Sequence, residues 1–390
     1  MELFYATNWF SYPLVFGFLL LFGLVLLAQL YFILFVFAKI TPKSVVASST
    51  LTPSVTVVVS AHNELHNLQE LLPMLNEQDY PDFEVIIIDD RSTDGTLLWL
   101  EENASVFEKI RFIRVEKEYE HVTPKKYALT TAIRSAKNDI ILLTDADCRP
   151  TTDQWVKGMA ACLDNDKQIV LGFSPYQRLS GFLNRLIRFE TFFVAVQYLS
   201  FALIGKPYMG VGRNLMYRKS LFLQNKGFYT HIRVTGGDDD LLINEIATST
   251  NTAVCLDPDT FMVSWPKETW AAWFRQKKRH LSISKYYKAA NKRRLGVLTA
   301  THILTWSIFI GLMIWSAVIF PQQQGFLIVV ASLFVLRWVV QWVVLGIASS
   351  RLGHIVGWGA IPFMDFILFV YYIVMGLVMW FNRKKKVKWR

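Results

Sequence analysis

Residues 84–96 read EVIIIDDRSTDGT, and the fold prediction starts from this stretch. Its first half, Glu84–Asp90, is a run of apolar and β-branched residues with the length and composition of a buried β-strand. Two aspartates end the strand, and the turn residues after them lead into a segment with helical spacing. Asp94 stands at the expected N-cap, because its carboxylate can accept a hydrogen bond from the first helical turn. The stretch predicts a strand, an acidic loop and a helix.

The same alternation recurs on both sides of this stretch. Apolar runs of strand length are separated by segments in which apolar residues have helical spacing. The predicted strands are Val55–Ser60, Glu84–Asp90, Ile110–Val115 and Asp139–Asp145, and the predicted helices are Glu64–Asn76, Asp94–Asn103 and Thr123–Lys137. Short apolar strands that alternate with helices form a mostly parallel sheet with right-handed crossovers. The sequence therefore predicts an α/β domain across roughly residues 50–290.

Polar side chains follow three of these strands at the point where each strand ends. They are His62, Asn63 and Glu64 after the first strand, Asp89 and Asp90 after the second, and Asp145 and Asp147 after the fourth. Ligands of open α/β sheets bind at the carboxyl ends of the strands. We therefore expect these residues to border one ligand site.

The pair Asp145-Ala146-Asp147 is a candidate metal site. Two carboxylates separated by one small residue on a turn can hold a hard divalent cation together with phosphate oxygens, and Mg²⁺ and Mn²⁺ suit such oxygen ligands. The alternative is a solvated turn in which Asp147 caps a helix.

Asp89 and Asp90 support a ligand at the same edge. Two adjacent acids in a crevice repel one another unless something there requires them, and a ribose, a base N–H or the metal would each do so. Turn chemistry is the alternative explanation for Asp90.

A third acidic group, Asp238-Asp239-Asp240, follows Gly236 and Gly237. Three aspartates at the start of a helix are stabilised by the helix dipole, which would explain this group by a structural role alone. Two glycines also permit close approach of the backbone to a substrate, and a carboxylate in such a loop can accept the proton of an attacking hydroxyl.

The N-terminal segment predicts a membrane anchor. Tyr12–Ala38 contains no charged residue, and at about 1.5 Å per residue it exceeds the ~30 Å hydrocarbon thickness of a bilayer. A cleaved signal peptide would need a basic start and a shorter apolar core, whereas this chain begins with the acidic Glu2. Lys39 and Lys43 follow the run, and the positive-inside rule then places the next domain in the cytosol. The Ser/Thr/Pro-containing residues 41–53 are predicted to be a linker.

Three further apolar segments follow the α/β domain, namely Val297–Phe320, Phe326–Gly346 and Ile355–Phe381. Three complete crossings from a cytosolic domain would leave the basic tail, residues 382–390, on the outside, against the positive-inside rule. One segment is therefore a candidate for a re-entrant or interfacial element, and we prefer a cytosolic tail. The second segment carries Arg337 and Gln341 at its centre, and the third begins with irregular sequence that contains Gly357, Gly359 and Pro362. The stretch Gly181–Gly205 is too polar for a simple span and predicts an amphipathic helix, either packed in the core or lying at the membrane surface.

Charge and cysteine content exclude several other classes of protein. The formal net charge is +10, and much of it lies in two blocks beside apolar segments, Arg275–Arg294 and Arg383–Arg390, where basic residues usually meet lipid headgroups rather than nucleic acid. Cys148, Cys162 and Cys255 form neither a CxxC pair nor a disulfide framework, which favours a reducing compartment and argues against a zinc site.

Six motifs, taken together, resemble the family-2 glycosyltransferases, which have the GT-A fold, a Rossmann-like α/β domain. They are VSAHNE (Val59–Glu64), IIIDDRSTDGT (Ile86–Thr96), PKKYAL (Pro124–Leu129), TDADC (Thr144–Cys148), GGDDDLL (Gly236–Leu242) and RQKKRH (Arg275–His280). The flanking spans resemble the membrane-bound branch that contains cellulose, hyaluronan and poly-N-acetylglucosamine synthases. The implied organisation is an anchor at residues 12–38, a cytosolic GT-A domain at residues 53–290, a membrane region at residues 297–381 and the basic tail.

The resemblance implies an inverting, metal-dependent transfer of a sugar from a nucleotide donor, with UDP-sugar preferred, to a lipid or glycan acceptor. It places the protein in the inner or plasma membrane, in cell-envelope or exopolysaccharide synthesis. The implied site residues are Glu64, Asp89, Asp90 and Lys125 for the nucleotide, Asp145 for the nucleotide or Mg²⁺/Mn²⁺, Asp147 for the metal, Asp239 as general base, and Asp238, Gln276, Arg279 and His280 for the diphosphate and acceptor.

One departure from the family pattern concerns the acceptor. His280 replaces the Trp of the family's QxxRW element, and an imidazole stacks on a sugar more weakly than an indole does, which puts processive synthesis in doubt. Trp270 or Trp273, upstream on the same helix, is a candidate substitute, and a helix-surface position is the structural explanation of His280. Gly210–Asn214 resembles an acceptor-side loop of the family. A processive synthase, a non-catalytic scaffold that retains the fold and a transporter based on Arg337 and Gln341 remain alternatives.

Overall fold

The computed structural model describes residues 13–40, 52–103, 105–164, 166–319 and 324–381. The predicted linker lies almost entirely outside these residues, and the basic tail lies outside them completely. The chain divides into two compact units. One contains the described residues between 52 and 288, and the other contains the described helices of residues 13–40 and 289–381.

The described residues form nine strands and twelve α-helices. The strands are β1 (Val55–Ala61), β2 (Phe83–Asp90), β3 (Ile110–Val115), β4 (Ile140–Asp145), β5 (Cys148–Pro150), β6 (Ile169–Leu171), β7 (Leu215–Arg218), β8 (Thr252–Val254) and β9 (Met262–Ser264). The helices are α1 (Pro13–Tyr31), α2 (Leu65–Asn76), α3 (Thr96–Asn103), α4 (Pro124–Ser135), α5 (Trp155–Ala161), α6 (Phe182–Leu203), α7 (Lys219–Gln224), α8 (Asp240–Ile246), α9 (Trp270–Ile283), α10 (Ala289–Ile319), α11 (Gln324–Arg351) and α12 (Ile361–Phe381).

Seven strands form one mixed sheet in the order β3-β2-β1-β4-β7-β6-β8, and β5 and β9 form a second, two-stranded sheet. The first four strands pair in parallel, as predicted, and β7 runs antiparallel to both of its neighbours. The register brings Ala61 opposite Asp89 and Ser60 opposite Asp145. The acidic ends of β2 and β4 therefore lie on either side of the end of β1.

Alternate side chains of the central strands point into a core beneath α2 and α5. Val57 and Val85 from the sheet and Leu68 from α2 are fully buried there, together with the indole of Trp155. Burial of such side chains contributes roughly 1.5–3 kcal/mol each. This core fixes the strand ends on which the acidic residues stand.

Among the described residues, five helices are long and apolar enough to cross a membrane: Phe16–Ile40, Phe182–Leu203, Ala289–Val318, Gly325–Arg351 and Trp358–Phe381. The second of these, α6, is largely buried inside the α/β unit, where its Glu190 pairs with Lys277 of α9. Of the two alternatives for this stretch, the core-packed helix is therefore the one that the structure supports. The other four helices belong to the second unit and agree with the predicted anchor and three C-terminal spans.

The third C-terminal segment begins with irregular structure, as its glycines and proline predict. Instead of continuing from Ile355, the chain folds back along α11, and α12 begins only at Ile361. The Ser349 hydroxyl accepts a hydrogen bond from Val356 N at 2.8 Å, and Trp342 Nε1 donates to the carbonyl oxygen of Trp358 at 2.9 Å. These bonds hold the irregular segment against the last turns of α11, so this span contains an irregular entry.

A buried polar cluster joins the four helices of the second unit. Arg337 Nη1 donates to Asp365 Oδ2 at 2.7 Å, and Arg337 Nη2 donates to Gln29 Oε1 at 2.9 Å. Trp306 Nε1 of α10 donates to the same Asp365 oxygen at 3.1 Å, and Gln341 donates to the other. We call these five residues the intramembrane cluster. The side chains of Arg337 and Gln341 are thus hydrogen-bonded to neighbouring helices. These bonds explain why polar residues occur in an apolar segment, so a transported substrate is not needed as the explanation.

Candidate active site

The loops after β1 and β2 are locked together by side-chain hydrogen bonds. Asn63 N donates to Ser92 Oγ at 2.8 Å, and Thr93 N donates to Asn63 Oδ1 at 2.7 Å. A ring nitrogen of His62 lies 2.6 Å from the carbonyl oxygen of Asp90. Asn63 and Arg91 both adopt φ of +57°, a left-handed conformation that sharp turns require. The two predicted strand ends therefore form one rigid wall.

Asp89 and Asp90 stand on this wall in different environments. The Asp89 carboxylate is fully buried, and its Oδ1 accepts a hydrogen bond from Ser92 N at 3.2 Å. Its Oδ2 has no partner among the described residues, and a buried oxygen of this kind is suited to a ligand hydroxyl or N–H. Asp90 is paired with Arg91, whose Nε lies 2.9 Å from Asp90 Oδ1. Asp94 accepts a hydrogen bond from Thr96 N at the start of α3, in agreement with the predicted capping role.

Lys125 joins two of the predicted acidic groups. Its Nζ lies 2.9 Å from Asp145 Oδ1 and 3.2 Å from Asp238 Oδ2. Burial alone would lower the pKa of Lys125, but the two carboxylates hold that pKa above its ordinary value. The end of β4 and the loop before α8, almost a hundred residues apart, therefore meet at one cation.

Asp147 and Glu64 lie close enough to Asp145 for its charge to raise their pKa values. Burial and then the Asp145 carboxylate raise the pKa of Asp147. Burial also raises the pKa of Glu64, with further contributions from Asp147 and Asp145. The exposed ammonium group of Lys267 counteracts both shifts. Carboxylates that oppose each other's ionisation are suited to a divalent cation, which would stabilise the charged forms.

The donor set fits a metal shared with substrate rather than one enclosed by protein. No group of three or more His, Cys, Asp or Glu side chains converges as a metal cage in the part of the chain that the structure describes. Asp145 and Asp147 offer carboxylate oxygens at the rim of the sheet, and Mg²⁺ or Mn²⁺ commonly completes its coordination with phosphate oxygens and water. The residues present therefore fit an ion that binds together with a diphosphate.

Asp239 is held by two backbone N–H groups. Asp239 Oδ2 accepts from Gly212 N at 2.7 Å, and Oδ1 accepts from Asp240 N at 2.8 Å. Gly236 and Gly237 reach this position with φ of +82° and +71°, which only glycine adopts readily. Burial and then the Asp238 carboxylate raise the pKa of Asp239. A fixed carboxylate with a raised pKa has the properties of a general base.

Helix α9 places the predicted RQKKRH residues against the glycine loop. Gln276 Nε2 donates to the hydroxyl of Tyr176 at 3.2 Å. A side chain at Gly236 would lie 3.9 Å from Arg279 Cγ, so Arg279 is adjacent to the loop that carries Asp238 and Asp239. His280 is exposed on the last turn of the same helix.

The two alternative aromatic residues on α9 differ in exposure. Trp273 is buried in the domain core, with only 1% of its surface exposed, and it is therefore not free to stack on a sugar. Trp270 is 44% exposed and packs against Phe182 and Phe274. Of the two candidates for the missing indole, only Trp270 is open to a ligand.

Sequence reasoning missed several residues at this site. Trp265, which is 46% exposed, donates its backbone N–H to the carbonyl oxygen of Asp147 at 3.4 Å. Lys267 lies near Glu64 and Asp147, as their pKa shifts indicate. Arg213 lies over the ring of Tyr176, 4.5 Å from its centroid. In the sequence, these residues lie in the Gly210–Asn214 loop and in Ser264–Lys267 (SWPK). Neither pattern indicates which residues these side chains contact.

Known glycosyltransferases are similar in sequence to the α/β domain. Residues 56–224 match the family model described as Glycosyl transferase family 2. The uncharacterized glycosyltransferase YfnE of Bacillus subtilis is 33% identical over 117 residues, which cover 30% of this chain and 29% of the relative. Glycosyltransferase AglE of Haloferax volcanii is 30% identical over 112 residues, covering 28% of this chain and 35% of the relative. The chain thus spans about a third of the length of these relatives.

A solved structure confirms the predicted fold. The mannosyltransferase PcManGT of Pyrobaculum calidifontis, solved with GDP-Man and Mn²⁺, superposes with a TM-score of 0.57 at 22% identity, over 86% of this chain and 97% of that chain. The GT-A fold expected from the motifs is therefore present. Assignment to the cellulose-synthase-like branch stays a prediction.

Proposed function

Because residues 56–224 match the family model described as Glycosyl transferase family 2, we propose that the protein transfers a sugar from a nucleotide-diphosphate sugar to a membrane-proximal acceptor, with inversion and with Mg²⁺ or Mn²⁺. The observation that carries this proposal is the convergence at Lys125. It lies between Asp145, next to the metal candidate Asp147, and Asp238, next to the base candidate Asp239. The residues proposed to stabilise the leaving diphosphate and the residue proposed to deprotonate the acceptor therefore lie at the same edge of the sheet.

The proposed reaction is a single in-line displacement. Asp239 takes the proton from the acceptor hydroxyl while that oxygen attacks the anomeric carbon, and the bond to the diphosphate breaks on the opposite face. A bound Mg²⁺ or Mn²⁺ would neutralise charge on the departing diphosphate. Asp145 and Asp147 would hold this ion, and the two N–H bonds to Asp239 orient the base before the acceptor arrives.

The remaining predicted residues are assigned to binding. Asp89, Asp90 and Glu64 line the wall proposed for the nucleoside, where Asp89 Oδ2 is free for a hydroxyl or base N–H. Arg279 and His280, near the C-terminal end of α9, are proposed to contact the diphosphate and acceptor. Lys39 follows α1, and Lys285 and Lys288 precede α10. By the positive-inside rule, these basic residues support a cytosolic location of the α/β domain.

The direct test is a donor panel. Purified full-length protein in detergent or nanodiscs is incubated with UDP- and GDP-sugars, Mn²⁺ or Mg²⁺ and extracted membrane lipid, and release of nucleoside diphosphate is measured. We expect release from one donor class with short glycolipid or glycan products. Long polymer would favour the processive alternative instead. Absence of release from every donor would favour the non-catalytic scaffold.

Removal of divalent cations is expected to abolish turnover. Dialysis against EDTA should stop nucleoside diphosphate release, and added Mn²⁺ or Mg²⁺ should restore it, because the diphosphate charge is then neutralised again. The Asp147→Asn variant should not recover at the same ion concentration. Full activity after chelation would contradict the metal assignment.

The rate of sugar transfer is expected to fall as the pH is lowered, and the midpoint of this fall should lie above the pKa of an ordinary aspartate. The base must be ionised, so activity rises as the pH passes upward through the raised pKa of Asp239, an unperturbed Asp having a pKa of about 3.9. Asp238→Asn removes one cause of that shift and should move the acid limb of the kcat profile to lower pH. Asp79→Asn, at an exposed residue paired with Lys157, is the control. An unmoved limb in Asp238→Asn would contradict the assignment.

A further inference from the structure

Arg213 lies in the loop that binds the base candidate Asp239. It follows Gly212, which binds Asp239, and it precedes Asn214, whose side chain donates to the carbonyl oxygens of Phe173 and Thr260 at 2.8 Å each. The loop is therefore anchored on both sides of Arg213. A mobile surface loop would not show such bonds.

The guanidinium group of Arg213 is held against an aromatic face. It lies 4.5 Å from the ring centroid of Tyr176, and the Tyr176 hydroxyl accepts a hydrogen bond from Gln276 Nε2 at 3.2 Å. Cation–π contacts of this geometry orient a guanidinium without consuming its N–H donors. Gln276, a predicted site residue, thereby acts on the ring that supports Arg213.

The donors of Arg213 are not satisfied by protein. Nη1 is buried and has no hydrogen-bond partner, and no carboxylate lies within salt-bridge distance, among the residues that the structure describes. The charges of Asp147 and Asp145 nevertheless act on this guanidinium. A buried cationic donor without an acceptor is costly, so such a group usually serves a ligand.

Two other cations of the site are already occupied. Lys125 is paired with Asp145 and Asp238, and Arg91 is paired with Asp90 and Glu118. Arg213 combines proximity to the proposed metal ligands with a free N–H donor. A planar guanidinium matches two phosphate oxygens at once, which an ammonium group does not.

We propose that Arg213 binds the diphosphate group of the nucleotide donor and product, with Tyr176 as the platform that orients it. This inference rests on the proposed function and assigns a leaving-group contact to a residue outside the six motifs. As the sugar–oxygen bond breaks, negative charge grows on the diphosphate, and Arg213 stabilises that charge from the side of the Gly210–Asn214 loop.

The test compares binding of UDP and GDP with that of UMP and GMP, measured by isothermal titration calorimetry on the full-length protein with Mn²⁺. For the nucleotide that wild type binds, Arg213→Gln should weaken diphosphate binding by about 10–100-fold, the effect of one or two charge-assisted hydrogen bonds. Binding of the monophosphate should change much less. Arg213→Lys should recover part of the affinity, because it keeps the charge and loses the planar fork.

Two controls protect this interpretation. Arg218→Gln, at a neighbouring residue that pairs with Asp139, should bind diphosphate as wild type does. Thermal unfolding and circular dichroism establish that Arg213→Gln is folded. Unchanged diphosphate affinity in folded Arg213→Gln would overturn the inference, as would an equal loss for monophosphate and diphosphate. Failure of wild type to release nucleoside diphosphate from any sugar donor would instead overturn the proposed function.

Discussion

Asp239→Asn is expected to slow sugar transfer by about 10²–10⁴-fold, the range for loss of a positioned general base. The amide keeps the size of the side chain and can still accept one backbone N–H bond, but it cannot take the acceptor's proton. Binding of nucleoside diphosphate should stay close to that of wild type. The measurement is single-turnover transfer with the donor identified in the panel, together with calorimetric binding.

Asp240→Asn is the matched control for this experiment. Burial and the adjacent Asp239 raise the pKa of Asp240 well above its ordinary value, which favours the neutral carboxyl form that an amide resembles. This variant should retain most of the activity although the change is one residue away. Equal rates for Asp239→Asn and wild type would refute the assigned base, and equal losses in both variants would indicate damage to the loop instead.

Arg337→Leu is expected to destabilise the membrane unit by about 3–5 kcal/mol. Arg337 is fully buried, and its removal leaves the Asp365 carboxylate without its cation in an apolar environment. The expected result is unfolding at a lower mole fraction of SDS, followed by tryptophan fluorescence of the protein in mixed micelles. Arg337→Lys keeps the charge but not both hydrogen bonds, and its effect should be intermediate.

The double variant Arg337→Leu/Asp365→Leu distinguishes a broken ion pair from a packing defect. Removing both charges eliminates the unpaired carboxylate, so the double variant should be more stable than Arg337→Leu alone. If the double variant is less stable than wild type by the full sum of the losses measured for Arg337→Leu and Asp365→Leu alone, the two side chains act independently. In that case the intramembrane cluster does not hold the helices together as we infer.

The parallel half of the sheet could be predicted from sequence because each strand is a continuous apolar run. β5, β6, β8 and β9 have only three residues each, too few to show a period, and they were not predicted. The membrane spans were predicted for the same reason as the long strands, by the composition of a continuous segment. The irregular start of the third C-terminal segment was predicted from Gly357, Gly359 and Pro362, but the bonds between Ser349 and Val356 that hold it were not, because they do not follow from hydropathy.

The site residues, too, could be predicted where they belong to a continuous sequence pattern and could not where they depend on distant contacts. The acidic residues stood out because they terminate recognisable strands or form runs, as Asp145 and Asp239 do. Arg213 did not, because its significance lies in the ring of Tyr176, 37 residues earlier in the chain, and in an unfilled N–H position. The partner of Arg337 was equally hidden, since an isolated arginine in a span does not indicate which helix carries the matching carboxylate.

The Gly210–Asn214 loop carries two contacts on adjacent residues: Gly212 fixes the base, and Arg213 faces the proposed diphosphate. Any displacement of this short segment changes both contacts together. The Gly212 N–H bond already holds Asp239 before any ligand binds, and a diphosphate bound at Arg213 would further restrain the same segment. A substitution that shifts this loop is therefore expected to impair donor binding and base placement together.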